Sequence, residues 1–156
     1  MDNALLWAYI IIVLVGAIIF GLFIGRSYSN SLFTFIKIPN GTLNRITILI
    51  IEVIFILGLG IYIYAYHDCN QAYLNILLLA HLVSMIGFSY QLYIRRDAGS
   101  SLIFLIAALI FIFMILIHLM IKKPRIEHLF LLIYSAWLAY LIVINIGIIS
   151  LNPINP

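Results

Sequence analysis

Apolar residues fill this chain in long runs, and short polar groups separate them. Five runs stand out, at about 4–25, 43–66, 72–94, 101–121 and 127–151. A helix needs about 20 largely apolar residues to cross the ~30 Å hydrocarbon core of a bilayer. The pattern therefore predicts an all-α polytopic membrane protein. It would be a bundle of five transmembrane helices forming a single transmembrane domain over residues 1–156. Only Asp2 brings charge to the start of the first run, with no basic residue before it. That run is longer than a signal-peptide core and reads as a retained span.

The breaks carry their own information. The longest, 26-RSYSNSLFTFIKIPNGTLN-44, holds Ser, Asn, Pro39 and Gly41, which interrupt helical periodicity. Its aromatics and Ile36 suit a loop lying on the bundle or at the interface, where it could cover a binding site or serve as a plain surface connection. Thr42 and Asn44 are the candidate caps of the second helix. That helix ends in 62-YIYAYHD-68, an interfacial aromatic belt by spacing. The third span ends at Arg95-Arg96 and the fourth at 122-KKPR-125, where Pro124 stops the helix. Short connections from the second span onward imply antiparallel neighbours. Gly21 and Gly25, four apart on the first span, would let another helix approach closely.

Composition narrows the class. The chain is 66% apolar and 8% charged, against about 45–50% and about 25% in an ordinary soluble domain. That excludes a soluble fold and makes membrane lipids the first partner. The single cysteine, Cys69, excludes an intramolecular disulfide and a Cys-rich metal site. The net charge of +3 is dispersed at the ends of apolar runs, so it sets topology and forms no nucleic-acid face. Arg26, Lys37, Arg45, Arg95 and Arg96 fall on one side, and Lys122, Lys123 and Arg125 on the other. The positive-inside rule then places the first loop and the C-terminus inside and the N-terminus outside.

Polar groups inside the spans are the candidate chemistry. Glu52 is the one acidic residue well within a span. A carboxyl there must be paired, neutralised or turned to a polar cavity, as a pocket group, a relay or a structural hydrogen-bonder. His81 could donate to a carbonyl, pair with Glu52, or ligate a metal or haem iron. His118 sits near the end of its span. No HExxH or paired Cys/His motif exists, so no metal site and no zinc hydrolase is expected. Ser84, Ser89 and Tyr90 add polarity to the third span, and Tyr134, Trp137, Tyr140 and Asn145 to the last. Helical spacing puts Tyr134 and Trp137 on one side of the last helix, and Asn145 extends that face. Such a face suits either a large planar ligand with a few polar handles or aromatic packing between helices.

The last span also resembles the translocator protein family, the tryptophan-rich sensory proteins or peripheral benzodiazepine receptors. Their pattern is Pro-Tyr-x-x-Trp-x-x-Phe-Ala-x-x-Leu-Asn-x-x-x-Trp-x-Leu-Asn, and this chain reads 133-IYSAWLAYLIVINIGIISLN-152. Tyr134, Trp137, Asn145, Leu151 and Asn152 match, and Tyr140 takes the aromatic place. In the third span His81-Leu82 falls on a Gln-Leu, Phe88-Ser89 on a Trp-Ser, Tyr93 on a Phe and Arg96 on an Arg. In the second, 57-LG-58 falls on a Met-Gly, followed by Tyr62. The chain departs at Ile133 and Ile149, where the family has Pro and Trp, and at Met85, where it has Asn. Its first loop reads 37-KIPNGTLN-44 and lacks the family's double proline and tryptophan.

The resemblance implies a five-helix bundle, usually dimeric, that binds porphyrin or haem, with sensory or transport roles. Animal members bind cholesterol, but no tyrosine or basic residue follows Tyr140, so the C-terminal cholesterol pattern is missing. The expected function is thus membrane binding of a tetrapyrrole or similar planar apolar ligand, with no obligatory cofactor. Phe88, Trp137 and Tyr140 would stack on it, with Tyr134 in the slot wall. Ser89 and Asn145 would hydrogen-bond to it, and Glu52 or His81 would meet its polar substituents. Two alternatives remain open: a structural accessory subunit of a larger membrane complex, and a proton-coupled transporter resting on Glu52 and His81. No catalytic residue is assigned. Porphyrin photochemistry is the one enzymatic route left open.

Overall fold

The computed structural model describes residues 37–66 and 70–152, preceded by Ile11, Val15, Gly16 and Ile18. Four long α-helices follow one another: α1 (Arg45–Ala65), α2 (Gln71–Ser89), α3 (Ala98–Lys122) and α4 (Leu129–Leu151). A π-helical segment, Tyr90–Arg95, extends α2, and a 3₁₀ turn, Ile126–His128, leads into α4.

Three of these stretches, Ala72–Arg95, Ala98–Lys122 and Ile126–Leu151, are long and apolar enough to cross a membrane. This corrects the expected bundle of five transmembrane helices: the described residues hold four long helices, and three of them qualify. The second expected span is represented by a shorter stretch. Among the described residues its apolar stretch is Ile50–Ala65, which at 1.5 Å per residue covers about 24 Å. The first expected span, 4–25, lies outside the described residues except for Ile11, Val15, Gly16 and Ile18, which are helical. Gly21, Gly25 and the loop before Lys37 lie outside them as well.

Side chains at helical spacing build the core. Leu105, Ala108, Ile112, Ile115 and Leu119 bury one face of α3, and Leu131, Tyr134, Leu138, Leu141 and Ile148 one face of α4. Leu74, Leu78, Leu82 and Met85 do the same on α2, and Ile56, Leu59 and Ile63 on α1. The most extensive packing joins α3 to α2 and to α4. The opposite faces are also apolar. Ile103, Ile110, Ile117 and Ile121 of α3 are all exposed, Ile121 at 74%. Water does not tolerate an apolar face of that extent on a monomer, whereas lipid does. The long elements among the described residues are all helices, and the protein is multi-pass.

Local chemistry fixes the helix ends. The Asn44 side chain accepts from the Thr47 N–H at 2.8 Å and caps α1, while the Thr42 hydroxyl turns back to the Pro39 carbonyl. At the α2–α3 corner, Arg96 takes a left-handed conformation (φ 61) and the Asp97 N–H returns to the Gln91 carbonyl. Asp97 then caps α3, accepting from the Ser100 N–H at 2.9 Å and from its hydroxyl at 2.5 Å. These Ser100 donors hold the Asp97 carboxyl below the usual carboxylate range, with burial opposing them weakly. A carboxyl lowered on folding stabilises the fold above its unfolded pKa of about 4. That contribution is lost as pH falls through the folded value. Asp97→Ala is expected to cost about 0.5–2 kcal/mol at neutral pH. In thermal unfolding in detergent, the gap to wild type should narrow below pH ~4. A constant gap down to pH ~2 would show that the carboxylate form contributes nothing.

Candidate functional site

Helices α1 and α4 face each other across large aromatic side chains. Phe55 stacks on Tyr134 with ring centroids 4.7 Å apart and lies 6.4 Å from Trp137. Trp137 in turn stacks on Tyr140 at 5.3 Å. One turn further along, Phe130 fills the space over Gly58, where a Cβ would come within 2.8 Å of its ring. These rings hold the two backbones apart and leave a furrow between them.

The furrow is an open groove of ≈ 560 Å³, within the range of small-molecule sites. Among the described residues it is lined by Gly41, Leu43, Ile51, Phe55, Ile133, Ala136, Trp137 and Tyr140. Its mouth is shaped by the segment before α1. The Leu43 N–H donates to the Tyr140 hydroxyl at 3.0 Å, and that hydroxyl faces the Gly41 carbonyl at 3.5 Å. Pro39 rests on Gly147, where a Cβ would come within 2.5 Å of the proline ring. The Asn152 side chain pairs with both backbone groups of Lys37, accepting from its N–H at 2.9 Å and donating to its carbonyl at 2.8 Å. The C-terminal half of α4 is thereby strapped by residues 37–43.

Behind the groove lie the buried polar groups. The Trp137 indole N–H donates to Glu52 Oε1 at 2.6 Å. Glu52 Oε2 is buried and has no hydrogen-bond partner among the described residues. His81 is fully buried between helices, with Nδ1 on the Ala108 carbonyl at 3.2 Å and Nε2 on the Tyr134 hydroxyl at 2.8 Å. A carbonyl only accepts, so Nδ1 carries the proton. In the neutral ring Nε2 then accepts from the Tyr134 O–H. Both ring nitrogens are engaged within the protein.

The residues singled out from the sequence separate into two groups. Trp137 and Tyr140 line the groove, with Glu52 bonded to Trp137 and Tyr134 stacked against Phe55. His81 reaches this group only through Tyr134. Phe88, Ser89 and Asn145 are buried elsewhere. Ser89 donates to its own helix at the Met85 carbonyl, Phe88 meets Tyr93 edge-on, and Asn145 donates to Ser101. Phe55, one turn beyond Glu52, is the aromatic groove residue that sequence reasoning missed. Its signal was an aromatic ring three positions from the buried acid, on the same helix face.

A second polar cluster joins the far end of α1 to the turn before α4. The Tyr62 hydroxyl meets His128 Nδ1, and His128 Nε2 meets the Lys123 carbonyl at 2.6 Å. The Tyr66 hydroxyl donates to Glu127 at 2.5 Å, and Arg125 lies 3.9 Å from the same carboxylate. Tyrosines that sequence spacing assigns to an aromatic belt thus also clamp α1 to its neighbour. Among the described residues, no group of three His, Cys, Asp or Glu side chains is placed to hold a metal ion. The chain matches no known protein-family model, no curated protein and no solved structure.

Proposed function

We propose that this membrane protein binds a planar, largely apolar molecule of the tetrapyrrole class, seated in the groove between α1 and α4. The observation that carries the reading is the run of stacked rings, Phe55, Trp137 and Tyr140, along an otherwise apolar groove. Ring faces in series favour a flat conjugated ligand, because offset stacking contributes about 0.5–1.5 kcal/mol per pair beyond the area buried. The distance along α4 from Ile133 to Tyr140 is about 10 Å, at 1.5 Å per residue. The groove is open along one side, so a ligand could enter laterally from the lipid with its polar edge left outside. The likeness of the last span to the translocator proteins points to the same ligand class. By the positive-inside rule, the face bearing Arg95 and Arg96 lies inside.

Trp7 and Trp137 are the two tryptophans of the chain, so a Trp7→Phe protein reports on Trp137 alone. Titration with an uncharged porphyrin diester is expected to quench its fluorescence saturably, at one ligand per chain. Phe55→Leu should weaken binding roughly three- to tenfold through the lost stacking. Absence of saturable quenching in both detergent and bilayers would sink the proposal. So would binding that Phe55→Leu leaves unchanged.

A further inference from the structure

We infer that the groove selects planar ligands that carry an amine, and that the Glu52 carboxyl is the amine's partner. The inference rests on the reading of the groove as a ligand site and names the chemistry of the polar group it takes. Glu52 is completely buried, and its two oxygens are unequal. Oε1 accepts the Trp137 indole N–H, whereas Oε2 has no partner among the described residues. A buried oxygen left in that state costs about 1–3 kcal/mol. A donor brought by a ligand recovers it.

Trp137 belongs to both environments, since it lines the groove and holds Glu52 through its N–H. Glu52 itself does not line the groove, so an amine seated there reaches the carboxyl only by displacing the Trp137 side chain between them. The rest of the groove has matching polarity. The faces of Phe55, Trp137 and Tyr140 are electron-rich and attract cations. Among the described lining residues there is no Lys, Arg or His to receive an acidic group. Aromatic faces around a carboxyl are complementary to an ammonium group, and the same set disfavours a carboxylate. The proton balance is closed in either starting form. An ammonium ion meets an ionised Glu52, or a neutral amine takes the proton of the carboxylic acid, and both give one neutral N–H···O pair.

The test uses the full chain with Trp7→Phe, in nonionic detergent, and three porphyrins differing in one side chain that ends in an amine, a methyl ester or a carboxylic acid. Quenching of Trp137 gives the three affinities. The amine form is expected to bind about tenfold more tightly than the ester, the range of a charge-assisted hydrogen bond. The acid form should bind more weakly than the ester. In Glu52→Gln, which still offers Trp137 an acceptor oxygen, the ratio of amine to ester affinity should fall to about one. Equal affinities for amine and ester, or an amine preference that survives Glu52→Gln, overturn the inference and leave the groove reading intact. If none of the three binds saturably, both fall. Should Glu52→Gln fail to fold, the ranking of the three porphyrins on the Trp7→Phe protein decides alone.

Discussion

Tyr134→Ala is expected to destabilise the protein by about 3–5 kcal/mol, the range for removing a buried aromatic ring. Two losses combine. The Tyr134 ring is fully buried and stacked on Phe55, so truncation opens a cavity at the centre of the α1–α4 seam. Its hydroxyl also serves His81 Nε2, which would be left without a donor between helices. Tyr134→Phe separates the two. It keeps the ring and removes the hydroxyl, and should cost about 1–3 kcal/mol, the range for an orphaned buried polar group. Denaturation by SDS titration from mixed micelles, followed by helical circular dichroism, measures both. A Tyr134→Phe protein as stable as wild type would mean that His81 finds another partner and that the hydroxyl does not anchor it.

Elements governed by local chemistry were legible in the sequence. The apolar runs mark all four described helices, the polar residues between them mark the turns, and Asn44 caps α1 as one of two candidates. Choosing between Asn44 and Thr42 was beyond sequence reasoning, because both offer a side-chain oxygen near the helix start. The Thr42 hydroxyl is taken by Pro39, three residues back. The number of spans was less legible. Counting apolar residues treats every run as equivalent and does not register which runs form helices long enough to span, as Ala72–Arg95, Ala98–Lys122 and Ile126–Leu151 do.

The site was legible only in part, because its residues are joined by tertiary geometry. The sequence shows that Glu52 needs a partner, but that partner lies 85 positions away. His81 had a carbonyl and Glu52 among its candidate partners. It takes a carbonyl, that of Ala108, and shares its other nitrogen with Tyr134. Helical spacing put Tyr134, Trp137 and Asn145 on one side of the last helix, yet that side meets different neighbours along its length. Near Trp137 it faces α1, and near Asn145 it faces the start of α3 at Ser101. Phe88 and Ser89 likewise sit on a span of the right composition, but the face that carries them is buried away from the groove. Periodicity gives the direction of a side chain from its own axis. It does not give which helix stands opposite.

The Glu52–Trp137 pair is where stability and binding are expected to diverge. Trp137→Phe leaves both oxygens of a buried carboxyl without a partner, and Glu52→Leu leaves the indole N–H without its acceptor. Each single change should cost about 1–3 kcal/mol. The double change removes both polar partners and replaces them with apolar groups, which can be close to neutral or stabilising. The double-mutant cycle should therefore show a coupling of about 1–3 kcal/mol, measured by the same SDS titration. Strictly additive losses would mean that the 2.6 Å contact contributes nothing of its own to stability. In the membrane an apolar pair at these positions would serve the fold as well as the pair now present. The single Glu52→Leu protein, which keeps Trp137 as the reporter, should nonetheless lose any preference for an amine-bearing porphyrin, since no carboxyl remains to receive it. A fold that is equally stable without Glu52, joined to a groove that no longer discriminates, would place the carboxyl's role in recognition and leave the packing of α1 on α4 to Phe55 and Tyr134.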